Sequence, residues 1–143
     1  MENEWCRKVS EWELFGKTAQ GSGGGSMVTS GGEGKIVLVT CGMRAEARRI
    51  AQAVVGKRLA ACVNLVLSPV ESIYAWKGRV ETAREYLLVM KTTGEQLAEL
   101  QKEVKRLHSY DVPEFIALPV TEGSTKYLSW LNESVGKPHK KRK

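Results

Sequence analysis

A long β-hairpin constrains the fold of this chain more than any other feature of its sequence. Residues Leu59–Trp76 form a mostly extended stretch that is interrupted at Ser68-Pro69, and Arg79–Thr92 is extended again after a turn at Lys77-Gly78. A proline inside a strand run indicates an edge strand or a bulge. The hairpin is longer than the strands of a lone small domain usually are. We therefore expect its apolar residues to need more cover than two helices can provide.

The residues around the hairpin alternate between strand and helix patterns. Apolar residues at helical spacing predict helices, and short β-rich runs predict strands. The predicted elements are a strand over Ile36–Thr40, helices over Ala45–Arg58, from Thr93 to about His108 and over Ser124–Val135, and a strand over Phe115–Val120. Thr93 and Gln96 have the spacing of a capping box. The order βαββαβ plus a C-terminal helix predicts a ferredoxin-like α+β fold, with two helices on one face of an antiparallel sheet.

A Gly/Ser run divides the chain into segments of different character. Residues 21–26 read Gly-Ser-Gly-Gly-Gly-Ser and Met27 follows at once, which is typical of a flexible linker ahead of a second start. The predicted segments are a peptide over residues 1–20, a linker over 21–34, a domain over 35–136 and a basic tail over 137–143. The pattern favours a peptide fused to a scaffold, and the alternative is a natural chain with an upstream start codon and a loose extension.

The N-terminal peptide has an aromatic stripe of its own. Trp5, Val9, Trp12 and Phe15 lie at a spacing that places them on one face of a short helix. Twenty residues rarely hold a helix alone, so this stripe needs a surface to bury against. A protein partner with an apolar groove is one such surface. Docking onto the chain's own domain, or no order at all, are the alternatives.

The net charge of +6 comes mostly from the C-terminal tail. Lys137–Lys143 holds five basic residues and no acidic one, so the other 136 residues carry only +1. The tail could touch an anionic partner, or it could be a solvated, disordered end. The first predicted strand carries no aromatic residue on which bases could stack, and the domain is nearly neutral. No nucleic-acid partner is therefore expected.

Motifs that carry catalytic chemistry do not occur in the sequence. We find no glycine-rich phosphate loop, zinc-type histidine pair, Cys-x-x-Cys or nucleophile elbow. Cys6, Cys41 and Cys62 have no regular spacing, which indicates a reduced setting. The longest apolar runs are of strand length and no secretory signal is recognisable, so no membrane association is expected. The sequence thus predicts a non-enzymatic cytoplasmic protein.

Two segments together resemble a known family. The sequences LAACVNLVLSPVESIYAWKGRVE (Leu59–Glu81) and LHSYDVPEFIALPV (Leu107–Val120), in this order, are similar to those of the CutA family of divalent-ion-tolerance proteins. The resemblance covers Lys35–Gly136. It implies a homotrimer formed through the long hairpin, with three sheets packed about a threefold axis. It also implies a non-enzymatic role in tolerance of, or response to, divalent metal ions such as copper, without a required cofactor.

The resemblance also points to three candidate metal ligands. Copper-binding bacterial members are expected to carry a cysteine at the end of the first strand, a histidine at the end of the second helix and a glutamate after the proline. These positions fall at Val39, Leu107 and Glu114, with Cys41 as the nearest thiol and His108 beside the histidine position. Thiolate, imidazole and carboxylate together suit Cu or Zn. Because two of the three predicted ligands (Cys41, His108 and Glu114) are out of register, we expect weak or absent binding.

Each of these candidates has an ordinary structural alternative. Cys41 and Cys62 also fit the pattern of small buried hydrophobes. His108 also fits a cation at a helix C-terminus, where the helix dipole favours positive charge.

Aromatic and charged residues in two regions suggest a cleft. The resemblance implies that the hairpin tip and the helix-to-strand link meet near the subunit interface, and the residues concerned are Tyr74, Trp76, Lys77, Tyr110 and Asp111. Aromatic residues are favoured at interfaces, although packing within one chain would also explain them. Two other functions therefore stay open. One is a PII-like sensor that binds a small molecule between subunits, and the other is a trivalent scaffold that displays the N-terminal peptide.

Overall fold

The structure, a computed structural model, describes residues 34–138. In chain order the elements are β1 (Gly34–Cys41), α1 (Arg44–Gly56), β2 (Cys62–Leu65), β3 (Val70–Trp76), β4 (Arg79–Thr93), α2 (Leu97–Leu107), β5 (Ile116–Pro119) and α3 (Thr125–Ser134). The predicted order is confirmed, and the first arm of the hairpin is split into β2 and β3 at residues 66–69. No helix within residues 34–138 is long and apolar enough to cross a membrane.

The sheet has the ferredoxin-like arrangement that the sequence predicts. Its strand order is β2-β4-β1-β5, and β3 also pairs with β4. All of these pairs are antiparallel. The 15-residue β4 pairs with β1 and β2 near its end and with β3 near its start. This long strand therefore carries both the body of the sheet and the projecting hairpin.

The hairpin turns at the predicted dipeptide. Lys77 and Gly78 both have positive φ angles, of 48° and 76°. Two positive φ angles at the centre of a two-residue loop are the signature of a type I′ turn, whose twist matches that of the strands it joins. Glycine adopts this conformation without strain, whereas for lysine a positive φ angle is modestly unfavourable in free energy.

The core lies between one face of the sheet and the helices α1 and α2. Alternate residues of β1 and β4 point into it, and each helix contributes one apolar stripe. The core residues with no more than 1% exposure include Val37, Val39, Cys41, Ile50, Val54, Leu88, Met90, Leu100 and Val104. Cys41 is thus a member of the core, as well as the last residue of its strand.

The opposite face of the sheet is apolar as well. The register places Leu38 beside both Val89 and Ile116, and Ile36 beside Leu118. Ile116 and Leu118 remain 48% and 45% exposed. Within the described part of one chain, this second face is therefore left partly open to solvent.

The predicted capping box is wrong. Thr93 is the last residue of β4, and its side chain makes no capping hydrogen bond. The chain first makes one 3-10 turn at Gly94–Gln96, and α2 begins only at Leu97. The extra turn carries Gln96 into a helical conformation ahead of α2, so the reciprocal bonds of a capping box do not form.

A clasp around Arg58 holds the end of the described chain. Arg58 has a positive φ of 58°. Its Nε donates to the carbonyl of Gly136 at 2.7 Å, and its Nη2 donates to that of Glu133 at 2.6 Å. The amide of Gly136 donates back to the carbonyl of Arg58 at 2.9 Å. These bonds fix the segment after α3 against the end of α1.

Two predictions fall outside the described residues. The aromatic stripe of Trp5, Val9, Trp12 and Phe15 and the linker before residue 34 lie ahead of them, and most of the basic tail lies beyond them. These stay predictions.

Candidate functional site

The Cys41 side chain reaches the site because of the alternation along β1. Val37, Val39 and Cys41 share the face that packs against the helices, and each has 0% exposure. As the last residue of the strand, Cys41 lies at the edge of the core, next to the start of α1 and the end of α2.

His108 reaches the same place from α2. Its amide closes the last turn of the helix by donating to the carbonyl of Val104 at 2.9 Å. Its backbone then becomes extended, with φ −81° and ψ 138°. The ring lies against β1: Nε2 is 2.7 Å from the carbonyl oxygen of Thr40 and 3.5 Å from Sγ of Cys41. The His108 side chain has no exposed surface.

Glu46 completes the cluster from the first turn of α1. It is 5% exposed. Its Oε1 accepts from the amide of Ser109 at 2.6 Å, and its Oε2 accepts from the Ser109 hydroxyl at 2.9 Å. Its Oε1 also lies 3.4 Å from Nδ1 of His108. The carboxylate is therefore buried but well supplied with hydrogen-bond donors.

The hydrogen bonds define the form of the imidazole. Nδ1 of His108 accepts from the amide of Tyr110 at 3.0 Å, so it carries no hydrogen. Nε2 faces the carbonyl of Thr40, which can only accept, so Nε2 carries the hydrogen and donates it. The hydrogen bonds therefore place the ring hydrogen of His108 on Nε2.

Burial raises the pKa of the Cys41 thiol from 9.0 to about 12, and the nearby carboxylates of Glu46 and Glu85 add to the effect. The order Cys41, His108, Glu46 has the outline of a nucleophile, a base and an orienting acid. A thiol with this pKa is not ionised at neutral pH, and the thiolate is the reactive form. The arrangement is therefore poorly suited to nucleophilic catalysis.

The same three side chains have the spacing of a metal site. One ligand atom from each of Cys41, Glu46 and His108 can be chosen so that all lie within 4.8 Å of one another. A tetrahedral zinc ion would hold sulfur and nitrogen about 3.6 Å apart, and Sγ of Cys41 is 3.5 Å from Nε2 of His108. Thiolate, imidazole and carboxylate donors suit Zn or Cu. Because Nε2 lies 2.7 Å from the carbonyl oxygen of Thr40, an ion at this nitrogen would have to displace that hydrogen bond as well as the thiol proton.

The sequence analysis predicted two of these three residues, Cys41 and His108. Both are out of register with the positions that the family resemblance implies, and their side chains nevertheless lie side by side. Glu114, the third predicted ligand, is outside the cluster; burial, followed by the charge of Glu85, raises its pKa. The sequence analysis did not predict Glu46. A signal existed, since Glu46 lies four residues before Ile50 on the buried side of α1.

A second group of polar residues lies next to this cluster. Burial raises the pKa of Tyr110 to about 12, with further contributions from a hydrogen bond to Glu85 and from electrostatic interactions with Glu85, Tyr74 and Cys41. Tyr74 of the hairpin and Tyr110 of the link are thus close enough to interact. The ring of Tyr110 is 4.8 Å from that of His108, centroid to centroid.

The other predicted cleft residues lie further out. Trp76 is 53% exposed near the hairpin tip. Lys77 is in the turn itself, and Asp111 is exposed in the link. Within the described part of one chain, these three side chains do not take part in the hydrogen bonds of the Cys41 cluster.

Comparisons with known proteins agree on one family. The profile of the CutA1 divalent ion tolerance protein matches residues 35–134. The "Divalent-cation tolerance protein CutA" of Thermus thermophilus is 48% identical over 102 residues, which are 71% of this chain and 98% of that protein. "Protein CutA, chloroplastic" of Arabidopsis thaliana is 46% identical over 99 residues, which are 69% of this chain and 54% of that protein.

A solved structure gives the same result in three dimensions. The structure of the "Divalent cation tolerance protein (Cut A1)" from Thermus thermophilus superposes with a TM-score of 0.70 at 48% identity. The superposition covers 72% of this chain and 99% of that one. The superposition thus covers almost all of that relative, and the family profile matches none of residues 1–34.

Proposed function

This chain belongs to the CutA1 divalent ion tolerance family, and from that premise we propose that it is a non-enzymatic, cytoplasmic homotrimer that binds a soft or borderline metal ion such as Cu or Zn. The observation that carries the proposal is the convergence of a thiol, an imidazole and a carboxylate at one buried point. The metal in this account is a bound cargo rather than a cofactor of a reaction.

The apolar surfaces left open by one chain support the homotrimer. The sheet face that carries Ile116 and Leu118 is partly exposed. On the hairpin, Ile73 and Val80 lie on one face, and they are 67% and 78% exposed. Large contiguous apolar surfaces on soluble proteins usually mark interaction sites. Identical copies that pack about a symmetry axis would cover both surfaces at once.

The chemistry of the cluster supports metal binding by Cys41 and His108. Thiolate and imidazole ligands favour Cu and Zn over Mg or Ca, which prefer oxygen. The proposed ligands differ from the predicted set in one residue. The buried Glu46, rather than Glu114, lies near Cys41 and His108. The raised pKa of Cys41 argues against a reactive thiolate, and a metal ion would have to displace the thiol proton in order to bind.

A small-molecule sensor is the second candidate function. The observation that favours it is the second polar group, in which Tyr110 interacts with Glu85 and Tyr74 beside the metal cluster. A cleft of this kind between subunits would suit a polar ligand with hydrogen-bond donors. The display of the N-terminal peptide as three copies rests on residues outside 34–138 and stays a prediction.

Native mass spectrometry of the full chain tests the proposal. The expected spectrum shows three chains in one assembly and, after incubation with Zn²⁺, about one ion per chain. Cys41→Ser should remove the ion, and the matched variants Cys62→Ser and Cys6→Ser should retain it. A monomer, or zinc that persists in Cys41→Ser, would contradict the proposal. Titration with nucleotides in the same experiment tests the sensor alternative.

A further inference from the structure

Charge is distributed unevenly over the domain. The basic layer, defined as α1, α2 and residues 57–58, carries eight basic and three acidic residues, a net charge of +5. The rest of residues 35–136 carries six basic and eight acidic residues, a net charge of −2. The nearly neutral total, which speaks against a nucleic-acid partner, is therefore an average over two unlike parts.

The carboxylates of the basic layer do not neutralise its outer surface. Glu103 is only 7% exposed and pairs with Lys57 at 2.8 Å and with Arg106 at 2.6 Å. Glu99 pairs with Lys102 at 3.1 Å, and the third carboxylate, in the first turn of α1, is buried. Among residues 34–138, no carboxylate pairs with the other exposed cations of the layer, which are Arg44, Arg48, Arg49 and Lys105.

The two helices form one continuous surface. The Lys57–Glu103 ion pair joins the end of α1 to α2, and Nη2 of Arg49 donates to the carbonyl of Leu107 at 3.3 Å. Both helices cover the core side of the sheet, and the partly exposed apolar face lies on the other side. The basic layer therefore stays open to solvent when the proposed trimer covers that apolar face.

The basic tail begins at the same surface. The clasp holds Gly136 against Arg58, directly after α1, through a hydrogen bond in each direction. The sequence then continues into Lys137–Lys143, which holds five basic residues and no acidic one. The tail thus starts beside the basic layer and has charge of the same sign.

We propose that the basic layer binds the phosphate backbone of a nucleic-acid duplex without reading its sequence. Arginine and lysine side chains bind phosphate through charge-assisted hydrogen bonds. Neutralising phosphates releases condensed counterions, and this supplies essentially all of non-specific binding to DNA. The inference goes beyond the proposed function and does not depend on the metal site.

The composition of the basic layer favours a duplex backbone over other anionic partners. The apolar stripes of α1 and α2 are buried in the core, and Val55 is the one large hydrophobic residue of the layer that is exposed. The layer contains no aromatic residue. Protein interfaces and membrane-bound helices use apolar or aromatic anchors, and single strands are held by stacking on aromatic rings. Contacts to a duplex backbone need only cations.

Fluorescence anisotropy of a short labelled DNA duplex, titrated with the full chain, tests the proposal. Each neutralised phosphate contributes about −0.9 to the slope of the logarithm of the binding constant against the logarithm of the salt concentration. Four cations without a carboxylate partner should therefore give the wild-type chain a slope of about −3.6 or steeper between about 50 and 200 mM salt. Two duplexes of unrelated sequence should bind with equal affinity.

A charge-matched pair of triple variants locates the contact. Replacing Arg44, Arg48 and Lys105 with glutamine should make the slope shallower by about 2.7. The control replaces three exposed basic residues outside the layer with glutamine and should keep the wild-type slope; these residues are Arg79, Arg84 and Lys126. Circular dichroism and sedimentation velocity check that both variants keep the fold and the assembly.

Several outcomes would overturn the proposal. A wild-type slope well short of −3.6, or a basic-layer variant with the same slope as the control, would show that the layer does not contact phosphates. Tighter binding to a single strand of the same length, or to phosphatidylserine vesicles, would show that a duplex is the wrong partner. Each of these results leaves the proposed metal site untouched.

Discussion

Replacing Val80 with lysine should dissociate the proposed trimer. Val80 lies on the hairpin opposite Ala75 and is 78% exposed in a single chain. If a neighbouring chain covers it, the substitution removes buried apolar surface and places a charge in the interface. The same substitution at Val55, which is 40% exposed on α1, serves as the matched control.

The size of the effect follows from the exposed fraction of Val80. Full burial of a valine side chain stabilises by about 1.5–3 kcal/mol, so covering this one contributes about 1.2–2.3 kcal/mol per chain. Three chains lose it together, which corresponds to an increase of about 10³- to 10⁵-fold in the trimer dissociation constant. Burying the lysine charge adds to this loss.

Sedimentation velocity over a range of protein concentrations measures the change. The wild-type chain and Val55→Lys should sediment as trimers throughout, and Val80→Lys should become monomeric as the protein is diluted. Circular dichroism checks that both variants keep the fold. A Val80→Lys variant that stays as fully trimeric as the control would refute the hairpin as the interface.

Three further predictions concern other parts of the chain. A hydrogen bond from Arg106 is the main cause that lowers the pKa of Glu103 from 4.5 to about 2. The ionised Glu103 therefore stabilises the fold fully above pH 4.5, and this stabilisation is lost as the pH falls towards 2. Glu103→Gln should flatten this decline in urea denaturation. Gly42→Ala would place a methyl group 2.9 Å from the Tyr110 hydroxyl, so the Tyr110 ring should move and tyrosine fluorescence should change; an unchanged spectrum would contradict this contact. Deleting residues 1–26 should leave the trimer and its melting temperature unchanged; a drop of more than a few degrees would make the segment part of the fold.

Most of the fold could be predicted because local patterns and tertiary packing agree. The apolar residues at helical spacing in α1 and the alternate apolar residues of β1 form much of the core. The Lys77-Gly78 turn was found because a glycine between two extended runs marks a turn. The start of α2 was misplaced because Thr93 belongs to β4, where pairing with β1 decides its conformation.

The site was harder to predict because it is assembled from three elements. Cys41 and His108 are 67 residues apart in the sequence, and the resemblance alone suggested that they meet. Glu114 was predicted from its position after a proline, and that position does not show whether its side chain is buried next to Cys41. Glu46 is distinguished by burial on α1 and by its bonds to Ser109, and both depend on how α1 packs against the end of α2.

X-ray absorption at the zinc edge tests metal binding by Cys41 and His108 most directly. The full chain loaded with one Zn²⁺ ion per subunit should show one sulfur at about 2.3 Å and nitrogen or oxygen neighbours at about 2.0–2.1 Å. Cys41→Ser should lose the sulfur shell, and Cys62→Ser should keep it. A zinc ion surrounded only by nitrogen and oxygen in the wild-type chain would contradict the proposed site.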